Sequence, residues 1–209
     1  WQDYRTAAST EDQTCLAQSS QVFATLPKVW ACSPFVANHC IQNPTLLSNL
    51  ITSGDLLNPP NDYSHLADLL PDASNEAAFM QTLRHLRHRE MLRIAWRDLA
   101  GWAPLTETLQ SLSNLADALI AATVSKLYQR LTKQLGTPCN SHGDPQSLVV
   151  LAMGKLGGQE LNFSSDIDLI FAYPETGETV GVSRPRTNQE FFTRLGQQLI
   201  HSLNHITAD

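Results

Sequence analysis

The chain has 209 residues, of which 42% are hydrophobic and 16% are charged, and its formal net charge at pH 7 is −6. This composition is sufficient for a buried core and excludes an intrinsically disordered protein. The acidic balance argues against a nucleic-acid partner, because non-specific binding to phosphodiester backbones depends on an excess of Lys and Arg.

The cysteines and the apolar segments indicate the cellular compartment. No two of the four cysteines form a C-x-x-C pair and no His follows at zinc-finger spacing, which predicts free thiols in a reducing cytoplasm. The sequence has no signal peptide and no apolar run of about 18 residues, so no membrane span is predicted. Because the chain starts at Trp1 and stops at Asp209 directly after a helical pattern, we expect it to be a fragment.

The first part of the chain is predicted to be helical. In residues 1–75, prolines divide the segment into short helices joined by turns. These prolines are Pro27, Pro34, Pro44, Pro59, Pro60 and Pro71. A long helix is predicted from an N-cap at Ser74 to a C-cap at Gly101, and a second helix from Thr106 to Gly136.

The pattern changes after residue 146. The apolar run from Leu148 to Met153 predicts a buried strand, a glycine-rich turn follows, and a second strand is predicted from Ile167 to Tyr173. Asn188 is predicted to cap a last helix. The apolar face of that helix would contain Phe191, Phe192, Leu195, Leu199 and Leu203.

The residues that carry chemistry lie between the two predicted strands, in the string GKLGGQELNFSSDIDLIF over residues 154–171. Gly157 and Gly158 follow the first strand and are predicted to open a short helix, where backbone N–H groups can approach a phosphate. Asp166 and Asp168 stand two apart on an extended segment, which places both carboxylates on one face. Paired carboxylates offer the hard oxygen ligands that Mg²⁺ prefers. The stretch therefore predicts metal-assisted phosphoryl or nucleotidyl transfer.

Each part of this stretch is a weak signal on its own, because surface loops often contain D-x-D without binding a metal. Lys155 precedes the glycines instead of following them, so the stretch is not a Walker A loop. An EF-hand would need further oxygen ligands where this chain has Leu169, Ile170 and Phe171. The order and spacing of the whole stretch carry the prediction.

The small-residue pair followed by D-x-D resembles the DNA-polymerase-β-like nucleotidyltransferases, and the fuller string resembles a narrower family, the bacterial glutamine synthetase adenylyltransferases. Residues 83–99 and 136–139 also resemble that family, and the resemblance covers residues 75–205. The family is bifunctional, with two nucleotidyltransferase domains in tandem, and this chain resembles the N-terminal, adenylyl-removing half.

The resemblance implies the fold class and domain organisation. The protein would be α+β and mostly α-helical. An N-terminal helical region over residues 1–146 would be followed by the start of a DNA-polymerase-β-like nucleotidyltransferase domain over residues 147–209.

The resemblance also implies roles for residues of the string. Asp166 and Asp168 would hold Mg²⁺ and be catalytic. The phosphate- and nucleotide-binding residues would be Gly157, Gly158, Lys155 and a hydroxyl of Ser164 or Ser165. A solvated loop lysine is an equal interpretation of Lys155.

A third metal carboxylate is missing from the motif. The superfamily needs one on a later strand, and the family carries it past Asp209. Glu175 and Glu178 lie nearby but in a Pro/Gly loop, and they do not match it. We therefore expect little turnover from this chain alone, because two carboxylates hold Mg²⁺ weakly without substrate phosphates.

The implied function is regulation of nitrogen assimilation in the cytoplasm. The substrate would be glutamine synthetase carrying AMP on a tyrosine; this half would remove the AMP with phosphate, releasing ADP, and a second domain would add AMP from ATP. The PII signalling protein would be a regulatory partner. The alternatives are another protein-modifying nucleotidyltransferase, such as a PII uridylyltransferase, and a catalytically incomplete helical interaction module.

A basic helix face allows two interpretations. Arg89, Arg93 and Arg97 recur every four residues and share one face of the predicted helix. They either contact a phosphate or an acidic partner, or they form a solvated face with ion pairs to Glu90 and Asp98. We favour the solvated face.

Overall fold

The structure is a computed structural model that describes residues 1–58, 63 and 65–207. Its helices are α1 Gln2–Ala7, α2 Thr10–Gln18, α3 Ser20–Cys32, α4 Pro34–Gln42, α5 Pro44–Thr52, α6 Leu66–Leu69, α7 Glu76–Ala100, α8 Leu105–Leu135, α9 Gly154–Gly157 and α10 Asn188–Thr207. Its strands are β1 Thr137–Pro138, β2 Val149–Ala152, β3 Leu169–Ala172 and β4 Thr179–Val180. A mostly helical α+β protein is thereby confirmed, while the nucleotidyltransferase fold stays a prediction.

The chain forms two compact units, and their boundaries differ from the predicted domain boundary at residue 147. The first unit comprises Trp1–Asp62 and Leu86–Leu112, and the second comprises Tyr63–His85 and Ser113–Asp209. The second unit extends upstream of residue 147 because β1 pairs with β4, and because the ring of Tyr128 packs edge-on against the ring of Phe191, with centroids 5.6 Å apart. The predicted domains themselves stay predictions.

The first unit has its own hydrophobic core, built by α1–α5 and by the part of α7 that belongs to it. Among the large side chains with no exposed surface are Tyr4, Val22, Val29, Leu47, Leu50 and Trp96. The indole N–H of Trp96 donates to the hydroxyl of Thr25 at 3.1 Å, so this buried polar atom is satisfied.

The prolines of the first unit divide its helices only in part as predicted. Pro34 and Pro44 occupy the first positions of α4 and α5, where the missing N–H costs no hydrogen bond. Pro27 lies inside α3, so the predicted break there is wrong. Packing of the buried face of α3 overrides the local preference. The predicted break at Pro59 and Pro60 lies outside the described residues.

Two helix caps differ from prediction by one residue. Asn75, not Ser74, caps α7, because its side-chain oxygen accepts from the backbone N–H of Ala78 at 3.2 Å. Thr187, not Asn188, caps α10, where its hydroxyl accepts from Glu190 N and the Glu190 carboxylate accepts from Thr187 N. This reciprocal pair is a capping box. The predicted C-cap at Gly101 is confirmed, with a φ of +78° after α7.

Most of the basic face of α7 is buried, so its interpretation as a solvated face is wrong, while the ion pair to Glu90 that this interpretation included is present. Arg93 is 1% exposed and its Nε donates to the carboxylate of Glu90 at 2.7 Å. Arg97 is 7% exposed and donates to Glu107 and to the carbonyls of residues 56 and 57. Asp98 accepts from Thr108 and forms none of these ion pairs. The charges of Arg93 and Arg97 are therefore paired inside the first unit.

The cysteines are free, as the sequence predicts. Cys40 and Cys139 are buried, and burial raises the pKa of the Cys40 thiol to about 12, so this thiol stays protonated at neutral pH. Within the described part of the chain, no helix has both the length and the apolar character to cross a membrane.

Candidate nucleotidyltransferase site

The small sheet of β2 and β3 positions the motif in the second unit. The strands are antiparallel, with Val149 opposite Ala172 and Leu151 opposite Ile170. One further hydrogen bond, from Met153 N to Asp168 O at 2.9 Å, continues this pairing past the end of β2. The backbone of the second aspartate therefore lies directly beside the start of the glycine turn.

Asp166 and Asp168 precede β3 instead of lying within it, because the strand begins at Leu169. Exposure still alternates along the segment: both aspartates are exposed, while Ile167 and Leu169 are half-buried. This alternation is the period of two of an extended chain, which puts the carboxylates on one side. Neither carboxylate has a hydrogen bond or an ion pair with any other described residue.

The pair fits a hard divalent cation. Two exposed carboxylates on one side of a segment supply oxygen ligands and leave room for the waters and substrate phosphates that Mg²⁺ retains. In the described ranges, no cluster brings together three or more His, Cys, Asp or Glu side chains at metal-binding positions. The two aspartates would therefore contribute only part of a coordination shell.

The glycine turn differs from its prediction. Helix α9 begins at Gly154 and ends at Gly157, with Gly158 as its C-cap, so the two glycines close a helix instead of opening one. Their N–H groups donate to Met153 O at 3.2 Å and to Gly154 O at 3.0 Å. Because these amides are already bonded inside the turn, they do not offer the donors expected at a helix start. Phosphate binding by Gly157 and Gly158 stays a prediction.

Gly157 is required by close packing against the end of β2. A Cβ at this position would lie 2.4 Å from the carbonyl oxygen of Ala152. At Gly158 such a Cβ would meet the flexible side chain of Glu160 at 3.4 Å and the carbonyl oxygen of Gly154 at 3.5 Å, which are ordinary contact distances. Close packing therefore explains the glycine at 157 and not the one at 158.

We expect Gly157→Ala to destabilise the second unit by about 1–3 kcal/mol, because the added methyl group collides with backbone that cannot move freely. Gly158→Ala is the matched control and should change stability by less than about 0.5 kcal/mol. Amide hydrogen exchange of β2 and β3 measures both effects. Equal protection in the two variants would contradict the close packing at Gly157.

The remaining predicted phosphate-binding residues meet at one point. The Lys155 ammonium, on α9, donates to the hydroxyl of Ser165 at 3.2 Å. Ser165 and Ser164 both donate to the side-chain oxygen of Asn162, a residue for which the sequence predicted no role. An Asn followed closely by Ser favours a turn, so the sequence did contain a signal for this loop.

The loop between α9 and the aspartates is anchored to α8. The Gln159 side chain donates to the carboxylate of Asp117 at 2.9 Å, and Leu161 N donates to the hydroxyl of Ser113 at 3.1 Å. Gln159 has a φ of +56°, which is uncommon for a residue with a side chain. These bonds fix the loop that precedes the serines.

One face of the sheet is open and carries the aspartates at one end. Residues directly opposite each other on antiparallel strands share a face, so Leu151 and Ile170 lie on the same side as Asp168. Leu151, Ile170 and Met153 are each between 46% and 49% exposed. Exposed apolar side chains therefore lie on the same face of the sheet as Asp168.

The family model of glutamate-ammonia ligase adenylyltransferase matches residues 23–209, extending the resemblance upstream of residue 75. A Nitrosococcus oceani protein, the "Bifunctional glutamine synthetase adenylyltransferase/adenylyl-removing enzyme", is 50% identical over 194 residues, or 91% of this chain and 20% of that protein. Proteins of the same name from Pseudomonas aeruginosa and Shewanella loihica are 50% and 46% identical, over 87% and 88% of this chain and 19% of their own lengths. The chain thus spans about one-fifth of these relatives. It belongs to the glutamate-ammonia ligase adenylyltransferase family.

Proposed function

We propose that this chain is part of the adenylyl-removing half of a bifunctional enzyme, and that it releases AMP from a tyrosine of glutamine synthetase by phosphorolysis. The observation that carries the proposal is the exposed pair Asp166 and Asp168, whose carboxylates have no hydrogen bond or ion pair with another described residue and lie beside the turn that holds Lys155. The relatives' names, which include adenylyl removal, support the same reading.

The assignment to the N-terminal copy rests on two sequence features. The helical segment over residues 84–98 precedes the motif, as in the N-terminal half of the family it resembles. The residues before the first aspartate read Asn162-Phe163-Ser164-Ser165, where the other copy typically has different residues. Residues 147–209 would then form part of a DNA-polymerase-β-like nucleotidyltransferase domain.

The reaction needs no activated water. An oxygen of inorganic phosphate forms a bond to the phosphorus of the tyrosyl-AMP diester, in line with the bond to the tyrosine oxygen, which breaks. The products are ADP and a free tyrosine, whose oxygen takes the proton that hydrogen phosphate brings. No general base is therefore obligatory.

Residues of this chain would offset the repulsion between inorganic phosphate and the tyrosyl-AMP diester, which are both anions. Asp166 and Asp168 would hold Mg²⁺, which supplies Lewis-acid stabilisation of the charge on the phosphoryl oxygens when bound. Lys155 is exposed and places a positive charge next to the serine loop. The serine hydroxyls can hydrogen-bond to phosphate oxygens as the nucleophile binds.

The remaining parts of the proposal concern the whole enzyme. A second domain would add AMP from ATP, and the PII signalling protein would bind as regulator. The enzyme would act in the cytoplasm on glutamine synthetase. This division predicts a phosphate-dependent product from this half and an ATP-dependent product from the other.

The product of the reaction tests the proposal. The full-length enzyme that carries this segment is given glutamine synthetase with radiolabelled AMP on its tyrosine, together with ¹⁸O-labelled inorganic phosphate. We expect radiolabelled ADP whose β-phosphoryl group carries the ¹⁸O, and no release when phosphate is omitted. Phosphate-independent release of AMP would indicate hydrolysis and would overturn the proposal.

A further inference from the structure

The side-chain oxygen of Asn162 accepts several hydrogen bonds from the loop before the aspartates. It accepts from the hydroxyl of Ser165 at 2.6 Å, from the backbone N–H of Ser164 at 3.2 Å and from the hydroxyl of Ser164 at 3.3 Å. An amide oxygen has two lone pairs, so it cannot serve three donors equally. The bond from the Ser164 hydroxyl is the longest, and we take it as the weakest of the three.

The hydroxyl of Ser165 has a defined direction. It has one proton, which it donates to Asn162, and it lies 3.2 Å from the Lys155 ammonium. Because an ammonium group has only donors, Ser165 must accept that bond with a lone pair. The three side chains therefore form a chain of two hydrogen bonds from Lys155 through Ser165 to Asn162, which we call the relay.

The relay separates the roles of the two serines. Because Ser165 donates its hydroxyl proton to Asn162, it has no proton to donate to a phosphate oxygen. Ser164 is exposed, and its hydroxyl can turn away from its long bond at low cost. Ser164 is thus the hydroxyl available to donate to a phosphate.

We propose that Asn162 is a positioning residue that assigns these roles: it orients Ser165 to hold Lys155 beside the aspartate segment, and it leaves Ser164 to bind the phosphate. The inference rests on the proposed function. It resolves which serine contacts the anion and gives Lys155 a fixed position. The loop ends directly before Asp166, so the same turn sets the position of that aspartate.

Kinetics of the full-length enzyme test the division between the serines. Ser164→Ala should raise the KM for inorganic phosphate about tenfold, the loss expected for a hydrogen bond to a charged group. Ser183→Ala, an exposed serine outside the site, is the matched control and should leave KM unchanged. A larger KM effect from Ser165→Ala than from Ser164→Ala would overturn the assignment.

A double-mutant cycle tests the relay. If Asn162 acts through Lys155, then Asn162→Ala raises the KM for phosphate but adds nothing in a Lys155→Met background, because interacting residues are not additive. A purely structural role for Asn162 would lower kcat and melting temperature in both backgrounds alike. Additive changes in KM would therefore contradict the relay.

Amine labelling tests the relay without turnover, so its failure is distinct from failure of the phosphorolysis proposal. Competitive acetylation followed by peptide mass spectrometry reports the reactivity of Lys155. We expect faster labelling in Asn162→Ala and Ser165→Ala than in the unsubstituted enzyme, and an unchanged rate in Ser164→Ala. Equal rates in all four proteins would show that Ser165 does not hold Lys155.

Discussion

Replacing either Asp166 or Asp168 by Asn in the full-length enzyme should abolish phosphate-dependent ADP formation while ATP-dependent adenylylation is retained. Each substitution keeps the shape of the side chain and removes one anionic metal ligand. Lewis-acid stabilisation contributes several kcal/mol to such reactions, and about 1.4 kcal/mol is tenfold in rate. We therefore expect a loss on the order of a thousand-fold or more.

The fold should tolerate these substitutions. Both aspartates are exposed and have no hydrogen bond or ion pair with the rest of the described chain, so no internal contact is broken. Removing one of two neighbouring like charges also relieves repulsion in the metal-free protein. Equal melting temperatures of variant and unsubstituted protein would establish that lost activity reflects chemistry.

A matched control separates the aspartates from other acids of the second unit. Glu175 is exposed, lies in the loop after β3 and does not match the motif. Glu175→Gln should leave both activities unchanged. If the aspartate variants instead lose ATP-dependent adenylylation and keep ADP formation, the chain belongs to the other half of the enzyme.

The long helices were predictable from sequence because their signals are local. Apolar periodicity and a glycine with positive φ define the end of α7 at Gly101 and of α8 at Gly136. The starts were missed by one residue, since several adjacent residues can act as caps. For α10, the pair Thr187 and Glu190 was the better signal, because a capping box needs both residues at a fixed spacing.

The glycine turn was not predictable in detail, because a glycine has several causes that look alike in sequence. Phosphate approach and backbone crowding both favour a residue without a Cβ. At Gly157 the structure gives crowding against Ala152 as one sufficient cause, whereas at Gly158 it gives none. Only the position of β2 in three dimensions separates the two cases.

The burial of the arginines on α7 could likewise not be predicted from the sequence. Spacing alone places Arg89, Arg93 and Arg97 on one face, but whether that face is solvated depends on residues far away in the chain. Asp55 pairs with Arg89, and Glu107 pairs with Arg97. Such non-local partners come together only when the first unit folds.

The buried charges lead to the second large expected effect, on stability. Glu90 is 3% exposed, and its carboxylate accepts hydrogen bonds from Arg93, at 2.7 Å, and from Arg89. Glu90→Gln removes the negative charge but keeps the size of the side chain. We expect the free energy of unfolding of the first unit to fall by about 3–5 kcal/mol, because breaking a buried ion pair leaves its cation buried without that anion.

The four tryptophans allow the unfolding of the first unit to be followed by fluorescence. Trp1, Trp30, Trp96 and Trp102 all belong to the first unit. In this 209-residue chain, urea unfolding followed by tryptophan fluorescence therefore reports the first unit. Burial of Trp96 gives a large change in signal on unfolding.

Glu107→Gln is the matched control for Glu90→Gln. Glu107 also pairs with an arginine of α7, Arg97, but its side chain is 35% exposed. Water can replace much of that interaction, so the expected loss is below about 1 kcal/mol. If Glu90→Gln shifts the urea midpoint no more than Glu107→Gln, the buried pair of Glu90 and Arg93 contributes little, and the stability of the first unit rests on its apolar core. A several-fold larger shift for Glu90→Gln would instead show that this buried ion pair contributes to the stability of the first unit, which gives Arg93 a structural role on α7.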